Sequence, residues 1–249
     1  MDDLRLEEAQ NKSFRSLHDC FTRKLKDGAR TIDPDPAIVI SPCDAIVSEI
    51  GAIQGTQLIQ AKGFPCTLED LLGDSEQVAR YRDGWYVTLR LKSSMYHRFH
   101  APCDGRVRTV NYISGDVWNV NPIALQRIER LYCKNERVVI PLDTAAFGQA
   151  ITLVPVAAIL VASIHLNFLN VLLNLKYRGP NHIPCEASFK KGEEMGYFHQ
   201  GSTIIVFSTH QLKPCAWLRP QTQVRMGQPL LDRNLKSSKI NREHLYLGI

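Results

Sequence analysis

Two imidazoles three residues apart, His97 and His100 in the string YHRFHAP at 96–102, form the densest reactive group in the chain. On a helix they would share a face, on a strand they would oppose each other, and a loop before Pro102 can aim each separately. Tyr96 and Arg98 beside them indicate a polar site. A carboxylate, Asp44, follows the Ser-Pro-Cys turn at 41–43, and a hydroxyl, Ser202, sits in a Gly-Ser-Thr turn ahead of the apolar run IIVF at 204–207. Asp44, His100 and Ser202 are the types that a Ser-His-Asp relay needs: the carboxylate orients the imidazole, and the imidazole removes the hydroxyl proton. Each also has an ordinary explanation. An Asp after Pro bonds its own turn, and Gly-Ser-Thr is a common loop-to-strand junction. Residues 200–204 read QGSTI and lack the second glycine of a Gly-x-Ser-x-Gly elbow. No phosphate loop is present. Cys103 lies close to the histidines, but no fourth ligand can be assigned, so no metal is expected.

The elements that must position these groups are mainly strands. Short runs rich in β-branched and aromatic residues recur at 37–40, 45–50, 85–91, 105–110, 137–140, 150–164 and 202–207, with turn residues between them. They predict an α+β fold, a single domain of predominantly antiparallel, barrel-like β-sheet with a short helical N-terminal segment. Residues 1–26 read as helical from their loosely spaced leucines, and DGARTIDPDP at 27–36 as a wrapping linker. The expected division is therefore 1–36 and a β-rich domain at 37–249. A helix is predicted near 67–80, where Thr67 precedes Leu68, Leu71 and Leu72 with Asp70 three residues after the cap. Pro155 marks an edge, bulge or corner within its run. The stretch 166–182 fits an amphipathic helix or a long strand equally well.

Composition sets the outer limits. The 249 residues are 44% hydrophobic and 22% charged, with 30 Lys+Arg against 25 Asp+Glu and a formal net charge of +5. That excludes a disordered or coiled-coil chain. The mild positive balance suits an anionic membrane face, and the basic residues are too scattered for a nucleic-acid protein. Seven cysteines, with no Cys-x-x-Cys pair, read as reduced structural thiols. No secretory signal and no 18-residue apolar run is visible.

The strings FTRKLKDGARTIDPDP, SPCDA, LIQAKGFPCTLEDLLG, YHRFHAPCDGRV, NERVVIPLDTAAFG and KKGEEMGYFHQGSTIIVF are similar, in order, to those of the bacterial phosphatidylserine decarboxylases. The resemblance runs from Phe14 to Phe207. It implies a pyruvoyl group made from the chain itself, by cleavage between Gly201 and Ser202. In that scheme Ser202 Oγ, activated by His100 and Asp44, attacks the Gly201 carbonyl and turns the amide into an ester. Elimination leaves dehydroalanine, and hydrolysis then gives pyruvoyl and ammonia, with a β chain of 1–201 and an α chain of 202–249. The substrate amine condenses with the pyruvoyl ketone as a Schiff base, CO₂ leaves, and phosphatidylethanolamine is released. By its match to the first His of the family string, His97 is assigned to turnover acid–base work or carboxylate positioning, and Arg98 to the anionic headgroup.

The resemblance also implies peripheral attachment to the cytoplasmic face of the cell membrane, phosphatidylserine as partner, and association of the β and α chains; it admits a homodimer and implies no nucleic acid. Two cases stay open for docking: either it uses the remaining surface, including residues 1–26 and 166–176, or lipid is bound more weakly. Three departures stand out: Gln200 where Leu is usual, Ala45 where Gly is usual, and a 154–164 run poorer in glycine. They bear on the rate of cleavage more than on the fold. The competing readings are a pyruvoyl decarboxylase for another serine-bearing molecule, a Ser-His-Asp hydrolase, and a lipid-binding homologue that does not mature.

Overall fold

The computed structural model describes residues 4–59, 64–145, 149–158, 163–199 and 202–233, with the backbone alone for Gln149 and Ser202. In chain order, α1 (Leu17–Phe21) precedes β1 (Ile38–Ile40), β2 (Ala45–Ala52), β3 (Gln57–Ile59) and β4 (Pro65–Thr67). Two short helices follow, α2 (Leu68–Leu72) and α3 (Ser75–Tyr81), then β5 (Trp85–Leu91), β6 (Arg98–His100) and β7 (Gly105–Ile113). After α4 (Pro122–Arg127) and α5 (Leu131–Lys134) come β8 (Arg137–Thr144), β9 (Gln149–Ala157), β10 (Ser163–Leu166) and β11 (Val171–Asn174). The last strands are β12 (His182–Phe189), β13 (Glu194–Phe198), β14 (Ser202–Ser208), β15 (Lys213–Pro214), β16 (Gln223–Val224) and β17 (Pro229–Asp232).

One sheet dominates, an eight-stranded antiparallel array in the order β12-β7-β8-β9-β14-β5-β2-β16. Its central strands β8, β9, β14 and β5 are apolar on both faces because both are covered. Val87, Leu89, Leu153, Ile204 and Val206 point into one core; Val154, Val156, Ile205 and Phe207 point into the other. The first core is closed by a four-stranded sheet, β11-β10-β13-β6, through Ile164, Leu173, Phe198 and Phe99, and by the β1-β17-β15 sheet through Val39 and Leu231. The second is closed by helices carrying Leu68, Leu71, Leu125 and Leu131.

The barrel-like closure expected from the strand pattern is overturned. Closing a barrel requires the outermost strands to pair, and here β12 and β16 are open edges of the large sheet. Continuous apolar runs arise instead from a sheet sandwiched between separate layers. The α+β, antiparallel character stands.

Other local expectations meet mixed outcomes. Thr67 does cap α2, its hydroxyl accepting from Asp70 N at 3.1 Å. Gly73, at φ +64, ends that helix and splits the predicted one in two. Residues 4–26 are helical only at α1 and in a 3₁₀ turn at Leu6–Glu8; the rest is a strap held by Arg23, whose guanidinium donates to the carbonyls of Leu4, Cys20 and Ser94. Residues 166–182 become neither long helix nor long strand but a 3₁₀ turn, β11 and a turn. Pro155 lies in an interior strand, where the β8–β9 ladder skips Val154 and Pro155 and no N–H is demanded of it. Cys66 of β4 and Cys133 of α5 are joined in a disulfide, where seven free thiols were expected. Among the described residues no helix is long and apolar enough to cross a membrane.

Candidate active site

Backbone hydrogen bonds bring Asp44 and His100 into one neighbourhood. His100 N donates to Pro42 O at 2.8 Å, and Ile40 N donates to Pro102 O at 2.9 Å, so the turn carrying Asp44 is laced to the strand carrying His100. The two side chains nevertheless engage different partners. Asp44 Oδ1 accepts from Arg30 Nε and from Met226 N, each at 2.9 Å, and Oδ2 accepts from Arg30 Nη2 at 2.5 Å. Arg30 is itself nearly buried and also binds Glu8 at 2.7 Å. Burial works against its charge, but Asp44 and Glu8 more than offset that and hold its pKa above the ordinary value.

His100 is fixed without a carboxylate. Its Nδ1 lies 2.9 Å from Gly192 O, which can only accept, so Nδ1 carries the proton and Nε2 the lone pair. The Tyr96 hydroxyl stands 3.0 Å from that Nε2 and donates to it. Burial lowers the His100 pKa; the Gly192 bond and the charges of Glu194 and Asp44 pull the other way. No hydrogen bond joins Asp44 to His100, so Asp44 acts on the imidazole through its field. In the expected relay the orienting contact belonged to Asp44; in the structure Gly192 makes it.

His97 is fully buried and stacked on Phe21, with ring centroids 3.7 Å apart. Its Nδ1 donates to Met95 O at 2.8 Å, while Nε2 is buried and has no hydrogen-bond partner among the described residues. Burial drives its pKa down to about 3, leaving a neutral ring at physiological pH. Arg98 is unavailable for a headgroup: it donates to Thr22 O, Arg23 O and Glu194 Oε1, and lies 4.6 Å over the Tyr197 ring.

Gly201 lies outside the described residues. The backbone of Ser202 opens β14, with its Cα opposite Leu91 of β5 and Ala157 of β9. Both neighbouring connections lead to the histidines. β5 ends at Leu91, six residues before His97, and Phe198 N, four residues before Ser202, donates to His97 O at 3.0 Å. A cavity of about 1000 Å³ opens at the far end of β14, near Thr209, Ala150 and Gly105, so cavity size does not mark the site.

Sequence reasoning did not assign Arg30, Gly192 or the Tyr96 hydroxyl. Arg30 lay in one of the matched strings, yet nothing in one chain pairs it with a residue 14 positions away. Gly192 acts through a carbonyl, which any residue type could supply.

A family model described as phosphatidylserine decarboxylase matches residues 17–232. The chain belongs to the phosphatidylserine decarboxylase family. Its relatives include the phosphatidylserine decarboxylase proenzyme of Aliivibrio fischeri strain ES114, 36% identical over 240 residues that cover 91% of this chain and 82% of that protein. The proenzymes of Vibrio campbellii (39% identical; 82% of this chain, 74% of the relative) and Brevibacillus brevis (34%; 93% and 84%) are similar over comparable spans. Phosphatidylserine decarboxylases are pyruvoyl-dependent carboxy-lyases of phospholipid biosynthesis, associated with phosphatidylserine and its membrane.

Proposed function

We propose that this chain decarboxylates phosphatidylserine to phosphatidylethanolamine and CO₂, with a pyruvoyl group it makes from Ser202 by cutting itself between Gly201 and Ser202. The observation that carries the reading is the neutral, oriented imidazole of His100, on the strand that pairs with β13, which ends four residues before position 202. Its Nε2 lone pair is the basic nitrogen that takes the Ser202 hydroxyl proton, once Tyr96 yields its place, and passes it to the departing backbone nitrogen. Asp44, held by Arg30, supports the imidazolium that forms through its field.

The surrounding residues fit a pyruvoyl group at position 202. Ala157 opposite is small, and His97 Nε2 is a buried acceptor with no donor among the described residues. Such a group supplies an electron sink for the pair that CO₂ leaves behind. A bare lone pair on His97 repels a carboxylate, so His97 serves as acceptor for the substrate's ammonium. The products are a β chain of 1–201 and an α chain of 202–249 that stay associated, and the enzyme works peripherally at the cytoplasmic face of the membrane.

Intact mass measured under denaturing conditions tests this directly. Wild-type protein should give two chains divided at 201/202, the smaller blocked by pyruvoyl, and Ser202→Ala should give one. His100→Ala should slow cleavage by at least about 100-fold; Asp44→Asn, which removes the charge and one of the two oxygens that accept from Arg30, should slow it by at least about tenfold, the effect of one pKa unit. Normal processing of Ser202→Ala would overturn the cleavage site, and wild-type kinetics in both other variants would remove them from the relay.

A further inference from the structure

A second carboxyl group stands at the same end of the large sheet, and no role above uses it. Glu136 immediately precedes β8; its N donates to Asp116 O and its O accepts from Ala157 N, both at 2.8 Å. That second bond continues the β8–β9 register, in which Arg137 faces Val156, by one residue. Glu136 is thus opposite Ala157, and Ala157 is opposite position 202. The three form one cross-strand row. Two strand spacings of about 4.8 Å put Glu136 and position 202 on the order of 10 Å apart at Cα, with only a methyl side chain between them.

Residues opposite each other in antiparallel strands share a face. Here it is the face of Val138 and Ile140, the core that also holds Tyr112. Glu136 is 0% exposed, and among the described residues neither carboxyl oxygen has a hydrogen-bond partner. Its polar neighbour is the Tyr112 hydroxyl, which donates to Asn174 O at 2.9 Å. Arg137, the nearest cation in sequence, turns to the opposite face and binds the carbonyls of Leu71, Asp70, Cys133 and Asn135. Among the described residues such a carboxylate has no counter-charge, and the hydroxyl nearest to it, Tyr112, is engaged by Asn174, so a neutral acid is the form the site accommodates. Burial pushes the Glu136 pKa up to about 7, only partly opposed by Tyr112. His97, at about 3, holds no ionisable proton to give at the same pH.

We propose that Glu136 is the proton donor of the decarboxylation, a buried neutral acid facing the reacting end of β14. This rests on the decarboxylase reading. When the bond between the substrate's α-carbon and its carboxylate breaks, CO₂ leaves without the electron pair. Glu136 delivers its proton to that carbon, a C–H bond replaces the C–C bond, and the resulting carboxylate takes a proton back from water before the next turnover.

The test combines a spectroscopic and a kinetic readout on the full chain. Infrared difference spectra of wild type against Glu136→Gln at mildly acidic pH should contain the C=O stretch of a protonated carboxyl that the Gln variant lacks, in mature enzyme and in the uncleaved Ser202→Ala protein alike. Glu136→Gln should still self-cleave, as intact mass reports, yet release CO₂ from phosphatidylserine vesicles about 100-fold more slowly. Glu136→Asp, which keeps an acid, should recover part of that loss. In the wild type, turnover should fall as pH rises through 7, and the Gln variant should lose that limb. Absence of the infrared band overturns the neutral acid, and equal CO₂ release by wild type and Gln variant overturns the donor role alone. Wild-type protein that matures but releases no CO₂ overturns the decarboxylase reading and the donor role together, whatever the infrared band shows.

Discussion

Burial acts on His97 in a direction that can be read from folding stability. A neutral imidazole whose pKa falls from 6.5 to about 3 refuses a proton that the unfolded chain accepts. Its contribution is complete above pH 6.5 and is lost as pH falls toward 3. In the uncleaved Ser202→Ala background, urea midpoints should therefore drop across that window by the equivalent of a few kcal/mol. His97→Phe keeps an apolar ring against Phe21 and should flatten the slope; an unchanged slope would show that the ring titrates freely. The residue types of the site were legible beforehand, because Asp44, His97, His100 and Ser202 sit in short, recognisable strings. Their partners were not. Arg30 on Asp44 and Gly192 on His100 are separated from them by 14 and 92 positions, and only the folded backbone makes them neighbours.

Strands and helix caps were readable wherever a local cause sufficed. Thr67 with Asp70 announces α2, and β-branched runs announce β2, β5, β8 and β14. What failed depended on layers. A strand run does not say whether its sheet curls on itself or is covered by others, so the barrel-like expectation fails against an open sheet sandwiched between layers. Residues 4–26 form a strap because Arg23 and the Ala9–Leu25 bridge tie it down, and Leu6 and Leu17, among the leucines read as helical, stay exposed. The close approach of strands within the β11-β10-β13-β6 sheet has its own test. A Cβ at Gly196 of β13 would lie 2.2 Å from His165 O and 2.7 Å from Phe99 Cζ. The first contact is backbone, so β10 must move. Gly196→Ala should lower stability by about 1–3 kcal/mol, seen as a lower urea midpoint in the uncleaved background. It should also slow self-cleavage, since β13 pairs with the strand that bears His100. Wild-type values for both would mean that the strands of this sheet yield more easily than the contacts indicate.

At the scale of the molecule, cleavage at 201/202 would cut the chain beside a strand that the sheet cannot release. β14 lies between β9 and β5, paired along its length on both sides. The same fragment carries β16, which pairs with β2, and β15 and β17, which form a sheet with β1. Met226, also in that fragment, donates its N–H to Asp44. Ile204, Ile205, Val206 and Phe207 are at most 1% exposed, and burying four such side chains contributes on the order of 10 kcal/mol before any ladder hydrogen bond is counted. Affinity of that size keeps the fragment bound at micromolar protein. Mature protein should therefore elute in size-exclusion chromatography at the volume of uncleaved Ser202→Ala, with native mass spectrometry finding both chains in one particle and denaturant alone resolving them. Release of the smaller chain under native conditions would contradict the central place of β14. Retention has a functional consequence as well: position 202 stays anchored by its own ladder opposite Ala157, so the new chain terminus is presented in place.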